Sequence, residues 1–528
     1  MSALRRRPGC LVLLVAGLAV LVAGVVLVRR ALDPEALRVR AEERLSEVLG
    51  QPVTIGRMNL SWLPAPVVEA SDIRIGGVSP GAAPAPLALR ALRITPRLSS
   101  LFSTPVVIDR VEVLGLAVRI GRDAQGRWLL PVPASHGGGA AGGARAVDVE
   151  EIALQDGRVT IASGAAPGSA GLQAATIEEL AATLRWTGGE MVVESLRGTL
   201  GRSSIEGQGR VTTDGIRFSL AWLSLSAHDL PQAFALVGTT APEGLAIEGD
   251  TPLVLDVAVD RAGVVTATGR VAARRGRFKT LSLVDLAAPL RYANGHLVLE
   301  PVRFEAYNGT HTGRLTVNTV ARPVEWSLES DLQGVDIREL VSANTSAKGA
   351  IEGTGRVRGN IRGTALAPLL PQVRGRVVTE VGHGVIHDFP ILAAVNAALR
   401  LGAGDERDLR FDTLFATWTV GNAQATTDDF VARSGELRLA AAGRVGFDQA
   451  LDFRGRLAFS QAKSQELIRR VRELSGLRNS EGEIEVPVAI TGRIGAPSFA
   501  IDTRAMLGKA IEDELKRRLR KGLGAIIK

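Results

Sequence analysis

Cysteine and aromatic residues are scarce in this sequence, and each scarcity excludes a class of protein. The one cysteine, Cys10, lies in an apolar N-terminal stretch, so the chain forms no internal disulfide and must be stable through burial alone. Aromatic residues make up 4% of the chain and hydrophobic residues 46%, so the apolar content is mostly Ala, Val and Leu. Scarce aromatic residues also count against a nucleic-acid-binding protein, whose basic face usually belongs to a recognisable reading module.

Signals of catalysis are weak as well. The sequence has no Walker loop and no Cys nucleophile outside the apolar stretch. His383, His387 and Asp388 could suggest metal ligands, but an H-x-x-x-H spacing in a strand or turn does not converge on one face. We expect these histidines to face solvent, and we predict a protein that is not an enzyme and has no metal or cofactor.

The first long feature that is present is an apolar run from Leu11 to Val28, which contains only Leu, Val, Ala and Gly. Extended to residues 9–28, it has the length of a helix that crosses a bilayer core of roughly 30 Å. The alternative is a cleaved signal peptide, but such a run is shorter and ends in small residues, whereas Arg29 and Arg30 follow here. We predict an uncleaved anchor with the eight-residue tail in the cytoplasm and the rest of the chain outside it.

The net charge of +8 suggests an anionic partner, and a membrane surface is the best candidate. One source of this charge is the C-terminal segment 504–528, which predicts a basic amphipathic helix. Its apolar stripe consists of Leu507, Ile511, Leu515 and Leu519. The basic residues around that stripe are the membrane-surface candidates Lys516, Arg517, Arg518, Arg520 and Lys521. Two interpretations stay open: an interfacial helix on anionic lipid, or a helix packed over the open end of a sheet.

Between these two segments the hydrophobic period is two, which predicts a mostly β chain. A helix over 33–49 comes first, with Asp33 as N-cap and Gly50 as the stop, and Leu37, Ala41, Leu45, Val48 and Leu49 form its apolar stripe. From Val53 onward, apolar and polar residues alternate in strands that each have one apolar face. Short helices are predicted near 229–237, 336–342, 391–401 and 465–474. The glycine-rich stretch 133–146 predicts a flexible insertion or linker.

A Gly-Arg-Val motif recurs along these strands. It begins at Gly157, Gly209, Gly269, Gly355, Gly375 and Gly443. We expect the glycine to serve the bend between strands, the arginine to face solvent and the valine to face inward.

Strands with one apolar face must bury that face against something. A dry sandwich, a closed barrel and a groove filled by another apolar molecule all satisfy this requirement. Small aliphatic side chains favour the groove, because they line a channel without filling it. The groove candidates are Leu457, Phe459, Val486 and Val488, on the apolar side of two late strands.

Loose glycine-and-aliphatic motifs occur toward both ends of the chain. The N-terminal ones are GQPVTIG at 50–56, Leu63-Pro64, IDRVEVLG at 108–115, Ile120, Gly126 and WLL at 128–130. The C-terminal ones are VRGRVV at 373–378, GVIHDF at 384–389, FDTLF at 411–415, AGRVGF at 442–447, LDF at 451–453 and GRIGAPSF at 492–499. Together with the anchor and the helix, they resemble the AsmA-like family of envelope proteins.

The resemblance implies a single-pass inner-membrane protein whose bulk lies in the periplasm, with a curled antiparallel β-groove related to bridge-like lipid transfer proteins. Such a protein carries or shields phospholipid and supports outer-membrane lipid homeostasis. The alternative is a non-enzymatic scaffold or assembly factor for outer-membrane biogenesis with a dry β-core. On the order of 25 strands at ~4.8 Å would give a groove of about 120 Å at most, so we expect an envelope protein partner or an oligomer.

The predicted organisation follows from these features. It consists of a tail 1–8, an anchor 9–28, an N-terminal AsmA-like β region 31–225 with its helix and insertion, a C-terminal AsmA-like β region 226–502, and the basic helix 504–528.

Overall fold

A computed structural model gives the fold of the chain. It describes residues 34–61, 66–76, 86–100, 106–122, 128–129, 147–161, 174–187, 190–212, 215–236, 241–248, 251–365, 368, 370–398 and 408–501. The predicted anchor 9–28, the insertion 133–146 and the basic segment 504–528 lie outside the described residues. Among the helices that are described, none has the length and hydropathy of a membrane span.

Most of the described elements are strands, as the period-two pattern predicts. Five α-helices occur among the described residues: α1 (Pro34–Leu49), α2 (Leu230–Leu236), α3 (Ile337–Asn344), α4 (Ile391–Ala398) and α5 (Gln461–Arg470). The strands before α3 are β1 (Val53–Thr54), β2 (Arg57–Ser61), β3 (Val67–Ile75), β4 (Leu87–Pro96), β5 (Val106–Leu114), β6 (Ala117–Arg122), β7 (Trp128–Leu129), β8 (Val147–Ile161), β9 (Ala175–Thr187), β10 (Glu190–Leu200), β11 (Ser203–Thr212), β12 (Gly215–Leu225), β13 (Leu245–Glu248), β14 (Thr251–Asp260), β15 (Val265–Phe278), β16 (Leu281–Ala293), β17 (His296–Ala306), β18 (Gly309–Asn318) and β19 (Glu325–Asp336). The strands after α3 are β20 (Ile351–Thr364), β21 (Arg374–Ile386), β22 (Leu409–Gly421), β23 (Gln424–Arg433), β24 (Leu437–Gly446), β25 (Ala450–Phe459), β26 (Glu485–Arg493) and β27 (Ala496–Ile501). The prediction of a mostly β chain with a few short helices is confirmed.

The chain divides into two compact units. Unit 1 consists of Met1–Arg274, Ala287–Val298 and Asn318–Val320, and unit 2 consists of Arg275–Leu286, Leu299–Val317 and Ala321–Lys528. Within each unit the strands contact chiefly the strands beside them in the ladder.

Unit 1 begins with α1 packed on the first strands, as its sequence predicts. Leu37, Ala41, Leu45 and Leu49 are all buried and join one core with side chains of β1 to β5 and β8 to β10. The helix ends where Gly50 takes a φ of 63°, a conformation that glycine adopts at little cost. Arg38 and Glu42 tie the helix to the sheet, because Arg38 donates to the carbonyl of Ile55 and Glu42 accepts from the N–H of Ile55.

One strand of unit 1 breaks the antiparallel rule. Strand β8 pairs in parallel with β5 through residues 147–155 and with β6 through residues 158–161. A parallel pair needs a long crossover connection, whereas an antiparallel pair can be joined by a two-residue turn. The glycine-rich insertion 133–146 therefore lies in the connection that carries the chain from β6 and β7 back to β8.

In unit 2, strands β19 to β27 pair antiparallel in chain order. Helices α3, α4 and α5 all connect strand ends on the same side of this ladder, which we name the helix edge; the opposite ends form the far edge. The caps explain where two of these helices begin: Asp336 accepts from the N–H of Glu339, and Ser460 accepts from the N–H of Lys463. The predicted positions of α2 to α4 are confirmed, and α5 begins and ends four residues earlier than expected.

The sheet of unit 2 curls strongly. Phe389, just before α4, packs edge-on against Phe499 of β27, with ring centroids 4.5 Å apart, although five strands, β22 to β26, separate them in the ladder. Ser346, which follows α3, donates to Gln449 Oε1 in the β24–β25 turn at 2.5 Å. These contacts bring the last strands of the ladder back toward its first helices, so the apolar side is concave.

Candidate functional site

The apolar side of unit 2 is built by cross-strand register. Leu439, Leu457 and Val486 lie side by side on β24, β25 and β26, because residues opposite each other in an antiparallel pair share a face. Leu457 and Val486 are fully buried, and Leu467 of α5 belongs to the same core. Toward the helix edge, the apolar face is therefore a packed interior.

Toward the far edge the same face is less covered. Val445 and Leu451 form a cross-strand pair near the β24–β25 turn, and both are half-buried. Val420 of β22 and Ile361 of β20 lie near the same edge and are also half-buried. On β25 and β26, buried residues thus give way to half-buried or exposed ones toward the far edge.

Three glycines of the Gly-Arg-Val motif, Gly355, Gly375 and Gly443, lie in unit 2, and our expectation that the motif glycines mark bends between strands is wrong. All six motif glycines lie inside strands. A Cβ on Gly443 would lie 2.6 Å from Cα of Phe453 and 2.4 Å from the carbonyl oxygen of Asp452. Glycine is needed there because Phe453 lies directly opposite it on the neighbouring strand.

Unit 1 carries a similar stretch of face on β11, β12, β14 and β15. Phe218 lies between Gly209 and Val257 in the register, and all three residues are half-buried. A Cβ on Gly209 would lie 2.4 Å from the Phe218 ring, which repeats the relation between Gly443 and Phe453. At the end next to α2, Trp222 and Ile205 are buried in a small core. In this stretch too, a buried core lies beside a helix.

The opposite side of the unit 2 sheet is charged and forms ion pairs along the strands. Arg356 donates to Asp331 at 2.5 Å and Arg358 to Glu380 at 2.6 Å, while Arg456 lies 3.0 Å from Glu485. The hydrogen bonds from Arg356 hold the pKa of the Asp331 carboxyl below its usual value. Being solvent-exposed, such pairs contribute little stability each, but they fix which side of the sheet faces water.

Two polar side chains on the apolar face of unit 2 have partners there. His311 is buried, stacks on Phe304 with centroids 4.0 Å apart, and lies 3.0 Å from Oγ of Ser330 through Nε2. Burial lowers the pKa of His311, which favours the neutral imidazole. Trp418 donates from its indole N–H to the hydroxyl of Thr379.

The four predicted groove residues are brought together, but at the packed end of the face. Leu457 and Val486 oppose each other, Phe459 follows two residues along β25, and Val488 follows two residues along β26. All four are buried, with exposures from 0% to 4%. Their role as lipid contacts stays a prediction, and the less covered surface lies elsewhere, at the half-buried residues. Lys516, Arg517, Arg518, Arg520 and Lys521 lie outside the described residues.

The histidine cluster has a structural explanation. The side chain of His383 is 91% exposed, as expected. His387 instead bridges two carboxylates, with Nε2 2.8 Å from Glu352 and Nδ1 3.0 Å from Asp408. In the part of the chain that the structure describes, no group of three or more His, Cys, Asp or Glu residues is arranged to hold a metal ion.

One pattern with a catalytic precedent, G-x-S-x-G, occurs at Gly77-Val78-Ser79-Pro80-Gly81 and lies outside the described residues.

Sequence reasoning missed the aromatic residues that shape the middle of the face. Phe453 meets Trp418 and Phe430 in edge-on contacts with centroids 6.3 and 6.1 Å away. The signal available in the sequence was the Gly-Arg-Val motif itself, because its glycine marks the position opposite a large side chain. Register between strands was needed to identify that side chain.

Comparison with known proteins adds one finding. The model described as the AsmA family matches residues 5–162. No curated protein and no solved structure matches the chain. The matched region holds α1 and the strands packed on it, and it stops before the strands of unit 2, so the C-terminal part of the resemblance stays a prediction. The sequence-based assignment is confirmed for this region: the chain is AsmA-like over residues 5–162.

Proposed function

We propose that this chain is a non-enzymatic envelope protein that holds the acyl chains of phospholipid against the half-buried parts of its apolar faces. Residues 9–28 are the proposed anchor in the inner membrane. The bulk of the chain is proposed to lie in the periplasm. Support of outer-membrane lipid homeostasis is the proposed consequence.

The observation that carries the proposal is the half-buried stretch of apolar face in each unit. Val445 and Leu451 in unit 2, and Phe218 and Val257 in unit 1, are apolar and only partly covered. Leaving apolar area in water costs roughly 25 cal/mol per Å², so a ligand that covers it is stabilised. An acyl chain gains about 0.8 kcal/mol for each CH₂ group that it buries, and it needs no polar partner along its length.

The arrangement of the two sides fits this role. Ion pairs line one side of the unit 2 sheet, and the other side is curled, so an acyl chain on the concave side would be shielded from water. Glycines opposite large side chains leave a shallow aliphatic surface rather than deep pockets. Such a surface suits acyl chains of different lengths, because its contacts with them are nonspecific.

A second function remains in competition, because part of the molecule supports it. The core next to the helices is packed, and Phe389 against Phe499 closes it, as a scaffold or assembly factor with a dry β-core would require. On this alternative, the half-buried residues would be covered by another protein.

Lipid mass spectrometry on the full chain, purified in mild detergent, separates the two functions. We expect phospholipid to co-purify in stoichiometric amounts. The charged substitutions Val445→Asp and Leu451→Asp should each reduce it to a small fraction while the protein remains folded by protease resistance.

The matched control is Ala442→Asp, which lies on β24 but on the exposed, charged side. It should leave the lipid content unchanged. Absence of lipid from the wild type, or equal lipid content in all four proteins, would refute the proposal and favour the scaffold.

A further inference from the structure

The charged side of unit 2 contains a place where two arginines face each other across neighbouring strands. Arg362 of β20 and Arg374 of β21 lie directly opposite each other in the antiparallel register, and Arg376 follows on the same side of β21. All three side chains are exposed. None of them forms an ion pair with any of the described residues, although ion pairs occupy the rest of the same strands.

Like charges directly opposite each other destabilise an antiparallel pair, so such an arrangement needs compensation. Elsewhere in the unit, compensation is built in: Arg433 opposes Arg438, and Arg438 lies 3.0 Å from Glu483. The acids nearest in register to Arg362 are Glu325 and Glu329, which lie opposite Thr364 and Asn360 rather than opposite an arginine. The three arginines, which we name the arginine cluster, therefore have acids only in diagonal positions and form no ion pair with a described residue.

The position of the arginine cluster indicates what supplies the counter-charge. Arg362 and Arg374 lie at the far edge, where the apolar face is least covered. On the reverse side of the same strand ends, Ile361 and Trp326 belong to the apolar face, and Trp326 lies over Gly363. Cationic and apolar side chains thus share one sheet edge, separated only by the thickness of the sheet.

A bilayer surface offers phosphate groups and acyl chains at a similarly short separation. A soluble acidic protein would satisfy the arginines but not the apolar side chains. Guanidinium groups bind phosphate oxygens in bidentate fashion, and each basic residue close to an anionic leaflet adds about 1 kcal/mol of attraction. Charge complementarity and continuity with the apolar face therefore both favour a membrane.

We propose that the far edge of unit 2, through Arg362, Arg374 and Arg376, docks on an anionic phospholipid surface. This goes beyond lipid carriage, because a protein could hold lipid without this contact and could dock without holding lipid. It is also separate from the predicted role of Lys516, Arg517, Arg518, Arg520 and Lys521.

The test uses the full chain held in a neutral phosphatidylcholine nanodisc. Binding is measured by co-flotation with vesicles of mixed phosphatidylglycerol and phosphatidylcholine, and with pure phosphatidylcholine vesicles. We expect binding to the anionic vesicles only. The triple variant Arg362→Gln, Arg374→Gln, Arg376→Gln should bind about 100-fold more weakly, as expected for three surface charges.

The matched control removes the same charge elsewhere, by replacing the exposed Arg303, Arg433 and Arg454 with Gln. It should bind like the wild type. Lysine at positions 362, 374 and 376 should retain most of the binding, because charge is kept, and this variant also guards against a folding defect. Protease resistance should be the same for every variant.

Three outcomes would overturn the docking proposal. They are no binding of the wild type to anionic vesicles, an equal loss in the cluster variant and its control, or full binding by the cluster variant. Lipid mass spectrometry on the same preparations distinguishes the two proposals. If the wild type contains no bound lipid but still binds vesicles through the arginine cluster, lipid carriage is refuted and docking is not.

Discussion

The helix edge and the far edge of unit 2 are two ends of the same strands, yet they differ in how the apolar face is covered. At the helix edge, Leu457 and Val486 are fully buried in one core with α5. At the far edge, Val445 and Leu451 are half-buried, and Arg362, Arg374 and Arg376 form no ion pair with a described residue. The same alternation of residues therefore builds a packed core at one end and a surface that can receive a ligand at the other.

The largest expected effect is the difference in stability between a variant with a new charge at the helix edge and one with a new charge at the far edge. Val486→Asp buries a carboxylate without a partner, so we expect the free energy of unfolding of unit 2 to fall by about 3–5 kcal/mol. Val445→Asp leaves the carboxylate within reach of water, and its cost should stay below about 1.5 kcal/mol. Denaturant unfolding of both variants measures the difference; equal losses would remove the distinction between the two ends.

The next prediction tests whether the side chains of unit 1 that pack with α1 also form a dry core. Leu45→Ala in α1 deletes a side chain that is 1% exposed, so we expect a loss of about 2–5 kcal/mol in the free energy of unfolding. Val39→Ala on the same helix changes a side chain that is 41% exposed and should cost at most about 0.5 kcal/mol. A loss at Leu45 as small as that at Val39 would show that α1 is not part of the core.

A smaller effect tests the role of the motif glycines. Gly443→Ala places a methyl group against the backbone of Asp452 and Phe453, and such crowding costs about 1–3 kcal/mol. Gly435→Ala is the matched control, because a Cβ there has no atom within 4 Å. Thermal unfolding should show a lower midpoint for the first variant and no decrease for the second. A harmless methyl group at position 443 would mean that Phe453 does not need the glycine.

The smallest effect concerns acid stability at the helix edge. The hydrogen bond from His387 lowers the pKa of the Asp408 carboxyl below its usual value near 4. A lowered folded-state pKa stabilises the fold at pH values above the unfolded-state pKa, and this stabilisation is lost as the pH falls below about 4 toward the folded-state value. His387→Gln should flatten this part of the stability profile.

His383→Gln is the control for that experiment, because His383 is exposed and makes neither of the two hydrogen bonds that His387 makes to Glu352 and Asp408. It should leave the acid part of the profile as in the wild type. The reverse result, a change with His383→Gln alone, would assign the acid sensitivity to another group.

Much of this architecture could be predicted from local pattern. The stripe of α1 and its stop at Gly50 followed from the 3.6-residue period and from the left-handed conformation that glycine tolerates. The strands followed from alternation, and three of the short helices lie at the predicted positions. The parallel pairing of β8 could not be predicted, since nothing in a strand's own residues selects its neighbour.

The candidate site shows the same limit more sharply. Leu457 and Val445 both occur in alternating apolar stretches, and no local feature tells them apart. One is buried because it packs in one core with α5, which follows in the chain, and the other is half-buried because it lies at the opposite end of its strand. The glycine at 443 was visible in a repeat, but its purpose required knowing that Phe453 lies opposite.

The sequence by itself determined which side of each strand is apolar, where three of the short helices lie, and that the chain is AsmA-like over residues 5–162. Only the tertiary structure decided how much of the apolar side is covered, which arginines face each other without an acid, and that Phe389 meets Phe499. The physical reason is that side-chain alternation depends on a residue and its immediate neighbours. How far an apolar side chain is covered, and whether a charged side chain has a partner, depend on segments that are distant in the chain and meet only when the sheet curls.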